Sequence, residues 1–360
     1  ILDDYTPLRE LAKSKEIMDK EAHIFSIPEA DMYIMEGGKY GQGSTFYTAD
    51  NPPFGAIFTY YLKETPKTLR AMRHEKEKEL FENKEPIPMP TREELRAEEN
   101  EVEPYLVFTV YDDAGTPVRR IMERPRKGMN RVNWDLRYYF PGPVDLKGKD
   151  FSPTKINGSG TLALPGEYSV GMDLVVRGEV KRLVEPRPFT ASLLGMASLP
   201  AEDQEEVVAF QEKMTALSRS MMGFDRMLGH EIDAVQSLKQ AVLETPGVEM
   251  EMMDRLRALE QQLKDLAFSY EGPSAKASWE ELPPMEMPLS RRMSVMIRTH
   301  WNNTAGITHT VKEQYDILRE QFPPMLEELQ DVHRELETVR NQLEQLGAPW
   351  TPGSIPQYDL

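Results

Sequence analysis

Residues 311–346 read VKEQYDILREQFPPMLEELQDVHRELETVRNQLEQL. Val311, Tyr315, Leu318, Phe322, Met325, Leu329, Val332, Leu336, Val339, Leu343 and Leu346 recur at spacings of four and three. That is a heptad seam, the pattern of a helix that packs along its length against other helices. A helix of this length cannot cover its own stripe, so its partners must come from elsewhere. Pro323-Pro324 interrupts the pattern without changing its phase. The pair either splits the element into two collinear helices or kinks a single one, because proline removes helix hydrogen bonds at a cost of about 3 kcal/mol or more. Thr310 with Glu313 matches a capping box at the start, and Gly347 with Pro349 marks the end.

The partners lie just upstream. Val207, Phe210, Met214, Leu217, Met221, Phe224 and Leu228 keep the same period, and the seam then moves by one residue to Ile232, Val235, Leu238 and Val242. This predicts one long helix over 203–244, bent near Gly229, with Gly223 and Gly229 each costing about 1 kcal/mol relative to alanine. Met252, Leu256, Leu259, Leu263 and Leu266 predict a second helix over 249–269. Leu289, Met293, Met296 and His300 predict a short third over 289–301, broken by Asn302-Asn303. Matching seams within one chain favour an intramolecular, antiparallel long-helix bundle over 199–347, with a self-assembling coiled-coil scaffold as the rival. The tail from Trp350, within 348–360, reads as irregular and docked on another part of the protein.

Before Pro200 the pattern is different. Residues 56–62 (AIFTYYL) and 105–111 (YLVFTVY) are β-branched and aromatic, as strands are. Asp112-Asp113-Ala114-Gly115 is a hairpin turn into Val118–Met122, and residues 128–137 alternate Val132, Trp134 and Leu136 against polar neighbours. Residues 169–176 and 180–189 pair across Arg177-Gly178, and Ala22–Pro28 contains a short strand. Pro7 to Met18 carries one or two helical turns. The resulting expectation is an antiparallel β-sandwich of immunoglobulin-like type over 55–198, with residues 56–62 in the same sheet as the strands that follow. An exposed, charged helical insertion with a Pro-rich connection occupies 63–101, and residues 1–54 are an irregular segment. The fold class is therefore α+β and multidomain.

Composition narrows the function more than any motif does. A net charge of −17 disfavours nucleic acid and anionic membranes, which need clustered Lys and Arg. The absence of cysteine removes disulfides, thiolate nucleophiles and Cys-based zinc sites. No apolar run is long enough to span a membrane. The chain opens Ile-Leu-Asp-Asp-Tyr without a basic leader, which reads as a fragment or a processed product. His23, His74, His230, His300, His309 and His333 form no His-Glu-x-x-His or other close ligand pair. His300 continues an apolar stripe and reads as a core residue. Gly37–Gly43 is Gly-rich but lacks the Gly-Lys-Ser/Thr of a phosphate loop. Asp3-Asp4 reads as a cap or turn rather than a calcium site, and the methionines as helix core rather than a peptide groove. No catalytic, cofactor-binding or metal-ligating residue is nominated, and the chain leans away from being an enzyme.

One family shares the order of several short motifs. These are Ile1-Leu2-Asp3-Asp4-Tyr5-Thr6-Pro7-Leu8-Arg9, Glu21-Ala22-His23-Ile24-Phe25, Asn51-Pro52-Pro53-Phe54-Gly55-Ala56 leading to Tyr60-Tyr61-Leu62, Gly128 with Asn130–Arg137, and Leu164-Pro165-Gly166-Glu167-Tyr168. Together they resemble the region after the last β-propeller blade in bacterial sortilin-like proteins (VPS10-domain or BNR-repeat, glycosyl-hydrolase-like), over about residues 1–190. The long insertion and the Pro323-Pro324 break depart from that pattern. The resemblance implies an exported bacterial protein, periplasmic or at the cell surface, whose propeller precedes Ile1. The long seams and the absence of a catalytic motif point to a non-catalytic module that supports that propeller and binds a protein partner, the propeller itself or another envelope protein. The alternative the resemblance leaves is part of a glycan- or peptide-acting hydrolase whose active site lies mainly on the propeller.

Overall fold

The structure is a computed structural model. It describes residues 4–33, 53–146, 151–155, 158–194, 201–302 and 304–355, with only the backbone at Trp279. The chain divides into two compact units: Ile1–Phe140 with Asp145–Pro200, and Pro141–Val144 with Ala201–Leu360.

The first unit carries strands β1 (Ala22–Ile24), β2 (Ala30–Met32), β3 (Ala56–Leu62), β4 (Tyr105–Tyr111), β5 (Pro117–Glu123), β6 (Gly128–Trp134), β7 (Gly166–Val176) and β8 (Glu179–Leu193). It also carries helices α1 (Thr6–Lys13), α2 (Leu69–Glu82) and α3 (Arg92–Asn100), with a 3₁₀ turn at Lys15–Asp19. Among the described residues the strands form a three-stranded sheet, β1-β3-β6, and a five-stranded sheet, β2-β8-β7-β4-β5. One apolar core draws on both, including Phe58 and Trp134 from the first sheet and Phe108, Val170 and Phe189 from the second. Trp134 is fully buried, lies edge-on to Tyr168 and Phe189, and donates its indole N–H to the Arg137 carbonyl at 2.9 Å.

This corrects the expected immunoglobulin-like sandwich. The larger sheet is mixed, because β2 runs parallel to β8, whereas that fold needs two antiparallel sheets. Residues 56–62 pair with β6 and β1 in a sheet separate from β4 and β5. The pairing of β7 with β8 shifts register between Val170 and Met172 and again between Met172 and Asp173. Such bulges bend and twist a long strand, and the sheet curls into a half-barrel.

The second unit carries α4 (Gln204–Glu244), α5 (Glu251–Glu271), α6 (Leu289–His300) and α7 (His309–Gln345). α4 begins where the Asp203 carboxylate accepts from the Glu205 and Glu206 amides, a side-chain N-cap. It runs unbroken through Gly223 and Gly229. α7 is likewise one element with Pro323 and Pro324 inside it, so the Arg319 and Glu320 carbonyls lack their usual helical donors. Phe322, next to the pair, is buried edge-on to Phe224. The expected capping box does not form: Thr308 is the N-cap and makes no side-chain cap bond.

The helices also correct the expected antiparallel bundle. Glu206 meets Lys312, Phe210 meets Tyr315, Phe224 meets Phe322 and Glu231 meets His333. Positions therefore rise together, and α4 and α7 run the same way. α5 runs against α4, since Tyr270 bonds to Met221 while Glu260 meets Lys239. The seams are buried with small shifts. Met253 rather than Met252 faces inward, and Gln211, Ser218 and Glu231 share the buried face of α4.

Candidate functional site

Among the described residues, polar or reactive side chains gather at several places. The first lies on the outer face of the three-stranded sheet. The pairing register places His23, Tyr61 and Met129 in one row across β1, β3 and β6, and Thr59 beside Arg131 in the next. Strand alternation puts both rows on the side opposite the shared core. Over this face, Glu10 of α1 accepts from His23 Nε2 at 2.8 Å and from the Ser26 amide and hydroxyl at 2.9 Å each. Burial works against the Glu10 carboxylate, but the bonds from Ser26 and His23 outweigh it and hold its carboxyl below the ordinary range. Burial pushes the His23 imidazole down, against the pull of Glu10. Ser26 gives its hydroxyl proton to Glu10 and not to His23, so the trio lacks the nucleophile-to-base contact of a catalytic relay. It fastens α1 to the sheet. Beside it Asp4, Tyr5, Pro7, Leu8, Thr59, Met129, Asn130 and Arg131 line an open cleft of about 400 Å³.

The second cluster lies between α4 and α7. Glu231 is 1% exposed, and its Oε1 lies 3.0 Å from His333 Nδ1 and 3.5 Å from His230 Nδ1. The apolar pattern hid Glu231, because a buried carboxylate is tolerated only with hydrogen-bonding partners, and His333 is 102 residues away.

The third is the arm formed by α2 and α3. Where the sequence predicts a helical insertion and a Pro-rich connection, α3 is an additional element. Thr68 caps α2 through the Ala71 amide. Thr91 and Glu94 form a full capping box on α3. The Thr91 amide, ahead of its hydroxyl, holds the Glu94 carboxyl below its usual value. Arg73 of α2 forks onto both Glu98 oxygens of α3 at 2.6 and 2.8 Å and reaches Glu77 at 2.6 Å. Glu98, then Glu77, pushes the Arg73 guanidinium further up, and Arg73 holds the Glu98 carboxyl down. Neither helix has a buried residue. A groove of about 560 Å³ runs between them, lined by Leu69, Met72, Leu80, Met89 and Ala97 among charged neighbours. Phe81 is 72% and Met89 90% exposed.

Of the remaining sequence candidates, Asp4 lines the first cleft and His74 lies on α2, while His300 and His309 belong to the helical unit. His300 is buried against Phe210, and among the described residues neither ring nitrogen has a hydrogen-bond partner. Burial pushes its imidazole down. His74 and His309 are exposed. Asp4 accepts from the Thr6 amide at 2.8 Å. Asp3 and Gly37–Gly43 lie outside the described residues. Among the described residues no group of three or more His, Asp or Glu is placed to hold a metal ion. No helix among them is long and apolar enough to cross a membrane. No protein-family model, no curated protein and no solved structure matches the chain.

Proposed function

We propose that this chain is a non-catalytic interaction module of an exported bacterial propeller protein, and that the α2–α3 arm is the surface that meets a protein partner. The observation that carries the reading is the arm. Helices of 14 and 9 residues are too short to be stable alone in water. Here they are fixed by two side-chain caps and a forked Arg–Glu pair. Phe81, Ile87 and Met89 stand exposed on this arm, and exposed apolar side chains gathered on one surface mark protein contact sites. The module's place beside a propeller, and its export, rest on the resemblance of residues 1–190.

The test is photo-cross-linking from position 89 of the full chain, with the preceding propeller and an envelope extract as prey. A specific adduct that Phe81→Asp abolishes supports the reading. Cross-links that are absent, or that survive Phe81→Asp unchanged, defeat it.

A further inference from the structure

The end of α7 builds a second groove, remote in sequence from the arm. The Gly347 amide reaches the Glu344 carbonyl at 3.0 Å, and the Ala348 amide reaches Leu343 at 3.0 Å. Gly347 takes the left-handed conformation, φ 76°. This is a Schellman stop. It turns Pro349–Pro352 onto the last turns of α4, where Gln236, Ser237, Gln240, Glu244, Trp350 and Pro352 help line a groove of about 420 Å³. That volume lies within the range of small-ligand sites.

We infer that this groove is a binding site for a neutral saccharide, with Trp350 as the platform on which a pyranose ring stacks. Trp350 is 47% exposed, so part of its ring faces the groove. An aromatic face that is partly wet suits the axial C–H face of a sugar, which is apolar while its rim is hydroxylated. Gln236, Gln240 and Glu244 follow at i, i+4 and i+8, one above another on α4, about 6 Å apart along the axis. That step is comparable with the length of one pyranose ring. The row keeps unused capacity on both sides of the hydrogen bond. Gln240 gives one amide N–H to Glu244 Oε1 at 2.6 Å and retains a second N–H and its carbonyl oxygen. Gln236 donates to Glu260 at 2.9 Å and retains the same pair. Sugar hydroxyls both donate and accept, and mixed amide groups match them. A cation fits less well: among the described residues Glu244 is the single charged one lining the groove, and one of its oxygens already accepts from Gln240. The site is independent of the α2–α3 arm and of the reading built on it.

Ligand-observed saturation-transfer NMR on the full chain tests this, with cellobiose and tetramethylammonium as probes. The expected result is saturable cellobiose binding with Kd near about 1 mM, the weak end of the affinity scale. Trp350→Ala abolishes it. Gln240→Ala, an exposed change that leaves the fold intact, weakens it at least about fivefold, roughly 1 kcal/mol. Tetramethylammonium gives no saturable signal. Three outcomes overturn the inference: no saturable cellobiose binding, binding unaltered in both variants, or preference for tetramethylammonium.

Discussion

Two pairs of glycines, one pair in each unit, do opposite work. In the β unit a Cβ on Gly55 would lie 1.9 Å from the Trp134 carbonyl oxygen, and one on Gly160 would lie 2.3 Å from that of Tyr139. In the helical unit a Cβ on Gly223 or Gly229 meets nothing within 4 Å. The difference shows where each unit keeps its tolerances. At Gly55 and Gly160 the β unit brings together backbone from residues far apart in sequence, and these approaches admit no added atom. Helix α4 depends on filling its stripe, and its backbone carries slack at Gly223 and Gly229.

Three changes probe that contrast. The largest effect is expected from Gly55→Val. It adds a branched side chain at φ 118°, where the Trp134 backbone already stands, and should cost the β unit more than about 4 kcal/mol. Hydrogen exchange should show protection lost across β3 and β6 and kept in α4 and α7. Equal loss in both units would mean that they do not unfold separately.

Next comes acid. Because burial lowers the His300 pKa in the folded chain, the unfolded chain takes up this proton first as pH falls. The stability conferred by the neutral ring is complete above about 6.5, the unfolded value, and declines below it until the folded ring also titrates. The slope from one such group is at most about 1.4 kcal/mol per pH unit. Thermal melts followed by helix exchange at pH 7.5 and 5.5 should show the loss in wild type and a smaller one in His300→Leu. An identical drop in the two proteins would remove His300 from the account.

The smallest effect is a gain. Gly223→Ala and Gly229→Ala should each stabilise the helical unit by about 1 kcal/mol, from helix propensity alone. A loss in urea titration would show that α4 needs one of those glycines for a bend.

The same contrast explains what could be read in advance. Residues 56–62 and 105–111 declared themselves as strands through β-branched and aromatic runs, and the structure has β3 and β4 at those positions. Alternation tells which side chains share a face, but not which strand lies alongside. Neither the division into three and five strands nor the parallel β2–β8 pair was therefore legible. The helical seams gave the long elements but missed their facing by one residue at Ser218, Glu231 and Met253, since one residue turns a helix by about 100°. A heptad also reads the same beside a parallel or an antiparallel neighbour, so the direction of α7 relative to α4 could not be seen. Of the polar clusters, Glu10–His23 and Glu231–His333 join residues 13 and 102 positions apart, and no local spacing announces them. The arm's charge was visible, but the second helix, short and without an apolar stripe, was not.

The parallel course of α4 and α7 has a mechanical consequence. α4 spans 41 residues, which at 1.5 Å each is about 60 Å. The chain rises along α4, comes back by way of α5 and α6, and rises again along α7, so residues 204 and 345 sit at opposite poles of the helical unit. Tension between them pulls α4 and α7 past one another and loads every rung of their contact together. Two antiparallel helices would have both ends at one pole and would peel apart one rung at a time. Tension between those two residues would thus load the helical unit in shear.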